Sequence, residues 1–233
     1  MAILNENGNS LRNFFKKWPN FYYFIVILFG PVLLAGLNPK NFLKKYPSNG
    51  KKLNLGSGPR ILSADVTNVD FFPYLGVQLV FDISKMPLEN NSVEQIVCDN
   101  VLEHVENPAA VIAEIHRVLK KGGIAYFCNP FLYPFHASPT DYFRWTDMGF
   151  LKMIGGFELI EKGVRSGIFS TLNVYLCYLL ATLFSFGNKN LYWFLVNISI
   201  FIFFPIKLLD IFFNRLPFAE NSAAVLYYVV RKK

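Results

Sequence analysis

Between Lys51 and Val164 the hydrophobic period of the chain switches repeatedly, and this alternation restricts its fold more than any other feature. Short apolar runs over 51–55, 65–70, 77–82, 93–99, 123–129 and 157–164 read as strands. The stretch 108–120 reads as a helix: Val111, Ile112, Ile115 and Leu119 recur at helical spacing, and Gly122-Gly123 supplies a stop. Thr146 is placed to cap another helix running to about Ile154. A seventh strand, 223–230, stands far downstream. Strands alternating with helices predict an α/β fold with a mainly parallel sheet covered on both faces.

Three uncharged runs frame this region: Trp18 to Pro39, Ser166 to Asn188, and Asn190 to Ile206. A spanning helix needs roughly 20 apolar residues. The first run is broken by Gly30-Pro31 and has basic flanks at Lys17 and Lys40, so it reads as an interfacial or re-entrant anchor rather than a span. A secretory signal peptide is the competing reading. The other two runs read as a helical hairpin joined at Gly187-Asn188-Lys189-Asn190. The hairpin is expected to lie flat or shallow, because the second arm is short and holds Pro205; a soluble lid or a dimer interface is the alternative.

The charge follows the same division. The chain has 23 Lys and Arg against 16 Asp and Glu, a net of +7, and a mean hydropathy of +0.30. Residues 1–48 carry +5, residues 49–167 carry −2, residues 168–221 carry +1, and the tail Arg231-Lys232-Lys233 adds +3. The excess positive charge therefore flanks the apolar segments, as expected of a protein held at an anionic membrane surface. A nucleic-acid enzyme more often carries its basic patch on the catalytic domain, so no nucleic acid is expected as partner. Cys98, Cys128 and Cys177 form no C-x-x-C pair, and the three histidines give no metal-ligand spacing. The cysteines read as small buried apolar residues, in keeping with a reducing cytoplasm, and no metal is expected.

The first strand ends in Leu53-Asn54-Leu55-Gly56-Ser57-Gly58, a turn at which backbone can approach a ligand closely. It is not a dinucleotide fingerprint, because the third glycine of G-x-G-x-x-G falls on Ile61. Asp70 closes the second strand and Asp82-Ile83 the third. The fourth runs into Asp99-Asn100-Val101-Leu102-Glu103-His104, followed by Glu114-Ile115-His116-Arg117-Val118-Leu119-Lys120-Lys121-Gly122-Gly123. This ordered series resembles the class I S-adenosylmethionine-dependent methyltransferases, specifically the type 11 methyltransferase domain, over about residues 50 to 165. The resemblance implies a Rossmann-like seven-stranded sheet, here with an apolar helical hairpin inserted between strands six and seven and an apolar N-terminal segment. It divides the chain into an N-terminal membrane-associating segment (1–48), a methyltransferase core (49–165), the hairpin (166–221) and a last strand with a basic tail (222–233).

Carried over by position, the resemblance implies that Gly56, Ser57 and Gly58 cradle the methionine part of S-adenosyl-L-methionine. Asn54 stands where an acidic residue is usual, and Arg60 where a third glycine is usual. Asp70 would hold the ribose, Asp82 and the Ile83 backbone the adenine, and Asn100 would border the methionine and the acceptor. A second block, Asn129-Pro130-Phe131-Leu132-Tyr133-Pro134-Phe135-His136 and then Pro139 to Thr146, resembles a block in methyltransferases associated with bacterial surface-saccharide biosynthesis. Methyl transfer from a sulfonium is an in-line displacement in which alignment dominates, and an oxygen acceptor also wants a general base. His136 is the first candidate, with Asp141 and Arg144 orienting it or the substrate, and His104 the second; His116 reads as a surface or packing residue. The expectation is a membrane-associated enzyme with its catalytic domain in the cytoplasm. Its acceptor would be lipophilic or lipid-linked, of saccharide or quinone type. A nucleic-acid methyltransferase and a non-catalytic cofactor-binding module are the rivals.

Overall fold

The structure, a computed structural model, describes residues 30, 32–136 and 139–233. Most of the first apolar run lies outside the described residues, and with it the readings as anchor or signal peptide. The chain divides into two compact units.

The sheet-bearing unit comprises Leu37–Phe131, Tyr142–Gly163 and Leu226–Lys233. The strands are β1 (Lys52–Leu55), β2 (Thr67–Asp70), β3 (Leu79–Val80), β4 (Val93–Asp99), β5 (Leu119–Pro130), β6 (Phe157–Ser166) and β7 (Val225–Lys232). They lie in the order β3-β2-β1-β4-β5-β7-β6. The pairs β1–β2, β2–β3, β1–β4 and β4–β5 are parallel, with Leu55 opposite both Val69 and Cys98, and Asp99 opposite Cys128. The chain thus works outward from β1 to β3 and then returns to the other side of β1 with β4. That reversal opens a crevice at the carboxyl ends of β1 and β4, where open α/β sheets bind ligands. Leu53, Leu55, Val69, Ile96, Val97, Cys98, Phe127 and Cys128 are fully buried, as strands covered on both faces require.

Local sequence accounts for the helices. Helix α1 (Pro39–Lys45) starts with Asn38, whose Oδ1 accepts from Asn41 N at 2.9 Å, and with proline in its first turn. Its Phe42 is fully buried against the Tyr126 ring, 5.5 Å between centroids. Helix α2 (Pro108–Val118) repeats that start: Asn107 accepts from Ala110 N at 3.1 Å, and Val111, Ile112, Ile115 and Val118 face inward. Helix α3 (Asp147–Met153) is capped by Thr146, whose Oγ1 accepts from Gly149 N at 3.1 Å, as the sequence predicts.

Several expected boundaries shift. The third strand shrinks to Leu79–Val80, because Gln78 Oε1 is committed to Asn68 N at 2.7 Å, and Asp82 falls on the following loop. The double glycine does not end α2. The strand begins at Leu119, and residues 120–123 are absorbed in a register shift that sets Leu119 opposite Val93 but Ile124 opposite Gln95. Helix α1 was not anticipated at all.

The second unit comprises the described residues among 30–36 and 132–141, together with Val164–Val225. Its main elements are α4 (Ile168–Phe184) and α5 (Lys189–Lys207), which pack on each other, followed by the short α6 (Asp210–Phe213). Asn188 caps α5, accepting from Asn190 N at 2.9 Å and Leu191 N at 3.0 Å. Helix α4 takes its cap from a distance: the fully buried Asp210 carboxylate accepts from the backbone N–H groups of Gly167, Phe169 and Ser170, each at 3.0 Å. Gly167 is required there, since a Cβ would fall 1.8 Å from Asn214 Oδ1 and 2.5 Å from Asp210 Oδ1. Lys207 Nζ donates to Gly30 O, and Arg165 Nη1 donates to Leu34 O and Gly36 O at 2.5 and 3.0 Å. Ser166, Ser170, Asn173, Ser199, Lys207 and Asp210 are completely buried in this unit, whereas Leu179, Leu183, Phe194, Phe201, Ile202, Ile211 and Phe212 are more than half exposed.

Candidate functional site

The loop after β1 is shaped by two residues at positive φ, Gly56 (61°) and Gly58 (51°). A Cβ on Gly56 would stand 2.5 Å from Val101 Cγ2, so nothing larger fits. At Gly58 a Cβ would meet nothing within 4 Å, which leaves the side of the turn open to a ligand. Gly58 N donates to Asp70 Oδ2 at 2.8 Å and Phe72 N to Oδ1 at 3.0 Å. These bonds fix the carboxylate against the loop and use two of its about four acceptor positions. Two remain unused among the described residues. Asn54 Nδ2 donates to Asn68 Oδ1 at 3.0 Å and to Arg60 O at 3.4 Å, so this side chain braces β1, β2 and the loop.

Asp82 Oδ1 accepts from Ser84 N at 2.8 Å, a tight turn that buries Ile83 beside it. The loop is held in place from α2. Met86 N donates to Glu114 Oε2 at 2.7 Å, while Arg117 donates to Met86 O, Leu88 O and Asn90 Oδ1 at 2.9, 2.7 and 2.7 Å. Arg117 also grips Glu114 through two bonds of 2.7 and 2.8 Å, which lowers the Glu114 pKa. The Glu114-x-x-Arg117 spacing, part of the segment that carries the family resemblance, thus orders the loop bearing Asp82.

At the end of β4, Asn100 occupies left-handed backbone (φ 56°), a conformation asparagine tolerates better than most residues. Its N–H donates to Cys128 O at 2.8 Å, and its Nδ2 donates to Asp99 Oδ1 at 3.2 Å. Asp99 Oδ2 in turn accepts from Arg60 Nη1 at 2.8 Å. Next to this pair, at the end of β5, Asn129 is 3% exposed, and neither its Oδ1 nor its Nδ2 has a hydrogen-bond partner among the described residues. Sequence reasoning gave Arg60, Asp99 and Asn129 no role in the site. The Arg60 departure from the glycine pattern was the available signal.

The second unit brings His136 and Asp141 together. Asp141 Oδ2 accepts from His136 N at 2.7 Å and lies 3.5 Å from Nδ1, which is also 3.3 Å from Pro134 O. The Tyr133 ring stands edge-on to the imidazole at 4.9 Å. The other two candidates belong to the sheet-bearing unit. Arg144 Nη1 donates to Phe143 O at 2.7 Å, and His104 Nε2 is 3.8 Å from Glu103 Oε1. His116 packs edge-on to Phe157 at 5.0 Å, and burial pushes its pKa down, in line with a packing role.

Residues 53–127 match a family described as a methyltransferase domain. An uncharacterized 37.1 kDa protein in transposon TN4556 of Streptomyces fradiae is 32% identical over 80 residues, which make up 34% of this chain and 23% of that protein. The chain therefore spans about a quarter of the length of the curated relative it matches. Among solved structures, a SAM-dependent methyltransferase of Thermotoga maritima superposes with a TM-score of 0.54 at 15% identity, covering 95% of this chain and 99% of that one. Phosphoethanolamine N-methyltransferase 2 of Haemonchus contortus, in complex with S-adenosyl-L-methionine, superposes with a TM-score of 0.52 at 16% identity, covering 96% and 60%. At such identities the structural likeness is one of fold.

Proposed function

We propose that this chain, a class I S-adenosylmethionine-dependent methyltransferase by its domain and fold, methylates a lipophilic or lipid-linked acceptor, of saccharide or quinone type, while held at an anionic membrane surface. The residues at the β1–β4 crevice fit the cofactor: an open glycine turn at Gly58, a fixed carboxylate with spare acceptor capacity at Asp70, and an ordered loop bearing Asp82. These residues, with Ser57, Ile83 and Asn100, would bind and orient it. When bound, the cofactor supplies an electrophilic methyl group on a sulfonium.

The chain's own part in the reaction is alignment, exclusion of water and movement of one proton. For a hydroxyl acceptor, His136 would be the general base that takes the acceptor's proton. Asp141, bonded to the His136 backbone and close to Nδ1, acts as a positioning residue for the ring.

The membrane reading is carried by the reversed polarity of the second unit. Folded chains in water bury apolar groups and expose charged ones. Here Lys207, Asp210, Ser170 and Ser199 are inside, while phenylalanines and leucines are outside. Polar groups facing the interior of a helical pair whose rim is apolar is the arrangement lipid selects. Helix α5 is long and apolar enough to cross a membrane, and 17% of its apolar stretch is buried, far less than a soluble core helix would show. Helices of 17 and 19 residues reach about 25 to 28 Å at 1.5 Å per residue, slightly short of a hydrocarbon core of about 30 Å. That length supports shallow insertion, with the catalytic unit on the cytoplasmic side, where the cofactor is made. The test is incubation of the chain with anionic membranes and methyl-labelled cofactor, followed by organic extraction. Label in the lipid extract supports the proposal. Label confined to the aqueous phase, or a chain that does not float with anionic vesicles, refutes it.

A further inference from the structure

We infer that Arg60 and Asp99 together form a receptor for a zwitterion, the amino-acid end of the cofactor, with the guanidinium taking the carboxylate and the carboxylate taking the ammonium. The inference rests on the cofactor assignment made above. Its observation is the ion pair across the crevice. Arg60 belongs to the loop after β1 and Asp99 ends β4, and these two strands flank the reversal of strand order. The 2.8 Å bond therefore joins the two lips of the place where ligands enter such a sheet.

Both partners are built in. Arg60 N donates to Ser57 O at 3.1 Å and Arg60 O accepts from Asn54 Nδ2, which fixes the backbone from which the guanidinium extends. Asp99 is held by Asn100 Nδ2 and its side chain is only 8% exposed, whereas the Arg60 side chain is 38% exposed. An arginine has five N–H donors, and a planar guanidinium matches a carboxylate by paired bonds. A buried acid beside an accessible guanidinium is complementary to a molecule carrying both charges on one carbon. The pairing also explains why a long cation is accommodated where the family pattern has a glycine: the side chain supplies by charge what a bare backbone would supply by N–H groups.

The test is calorimetric titration of the full chain in detergent with two ligands. S-adenosylhomocysteine has the amino-acid end; 5′-methylthioadenosine has the same nucleoside thioether without it. Arg60→Ala is expected to weaken S-adenosylhomocysteine tenfold or more and to leave 5′-methylthioadenosine within twofold, with Arg60→Lys recovering much of the loss and Asp99→Asn reproducing it. Retained 5′-methylthioadenosine binding also certifies that each variant is folded. Equal weakening of both ligands, or no change in either, overturns the receptor. If the unsubstituted chain binds neither ligand, the cofactor assignment itself falls, and the receptor with it.

Discussion

Asn129 offers the sharpest quantitative test: its orphaned buried amide beside the crevice costs stability, and the prediction is that the site uses it. Its amide is buried at the carboxyl end of β5 with both polar atoms unpartnered among the described residues. A buried polar group without a partner costs about 1–3 kcal/mol. Leucine repeats the branching of asparagine atom for atom, so Asn129→Leu removes two such groups and adds apolar contact. Taking the low end for each group, and subtracting about 1 kcal/mol for fitting the larger methyls, leaves a gain of about 1 kcal/mol. In a chain of this size that raises the melting temperature by about 2–4 °C. The assay is thermal and urea denaturation of the full chain in detergent, with methyl transfer measured on the same samples. Asn129→Leu should melt higher and transfer methyl at least tenfold more slowly. A variant that melts lower by several degrees, or one that keeps full activity, would refute the reasoning.

Other perturbations test separate parts of the structure. Asp210→Ala removes the acceptor of three backbone N–H groups at the start of α4, two of them in buried bonds, and should destabilise the apolar unit by about 3 kcal/mol, read as a lowered denaturation midpoint in detergent; an unchanged midpoint contradicts the capping account. Arg117→Ala frees the loop after β3 and should weaken S-adenosylhomocysteine about tenfold by calorimetry without touching any ligand-facing group. Lys120 holds Glu94 down to about 2 and Lys52 holds Asp65 down to about 2, and Arg117 lowers Glu114. Depressed carboxylates stabilise fully above their ordinary values and lose that contribution as pH falls through the folded values. The urea midpoint should therefore drop between about pH 5 and pH 2, and Glu94→Gln combined with Asp65→Asn should flatten that drop.

Much of the sheet was legible because its signals are local. Apolar runs ending in glycine or aspartate placed β1, β2 and β4, and the side-chain cap at Thr146 follows from residue type alone. Helix α1 carried the same Asn-Pro start as α2, yet it was masked by the apolar run that precedes it. What stayed hidden depends on residues far apart in sequence. Arg60 meets Asp99 only because β4 returns beside β1, and Asp210 reaches the start of α4 only after the intervening hairpin has folded. The orphaned amide of Asn129 is equally invisible to pattern reading, since hydrogen-bond satisfaction belongs to the packed site and not to the residue.

The strand order has a consequence for biosynthesis. In the finished sheet β7 sits between β5 and β6, yet in sequence it follows the whole apolar helical segment. As the chain leaves the ribosome, β5 and β6 must wait with open edges until that segment has been made and β7 has emerged. Open edges invite mispairing, and the greasy segment that delays closure is the one a bilayer would take up. Translation therefore imposes an order of assembly: the apolar helices are complete first, and only then can the catalytic sheet be zipped shut.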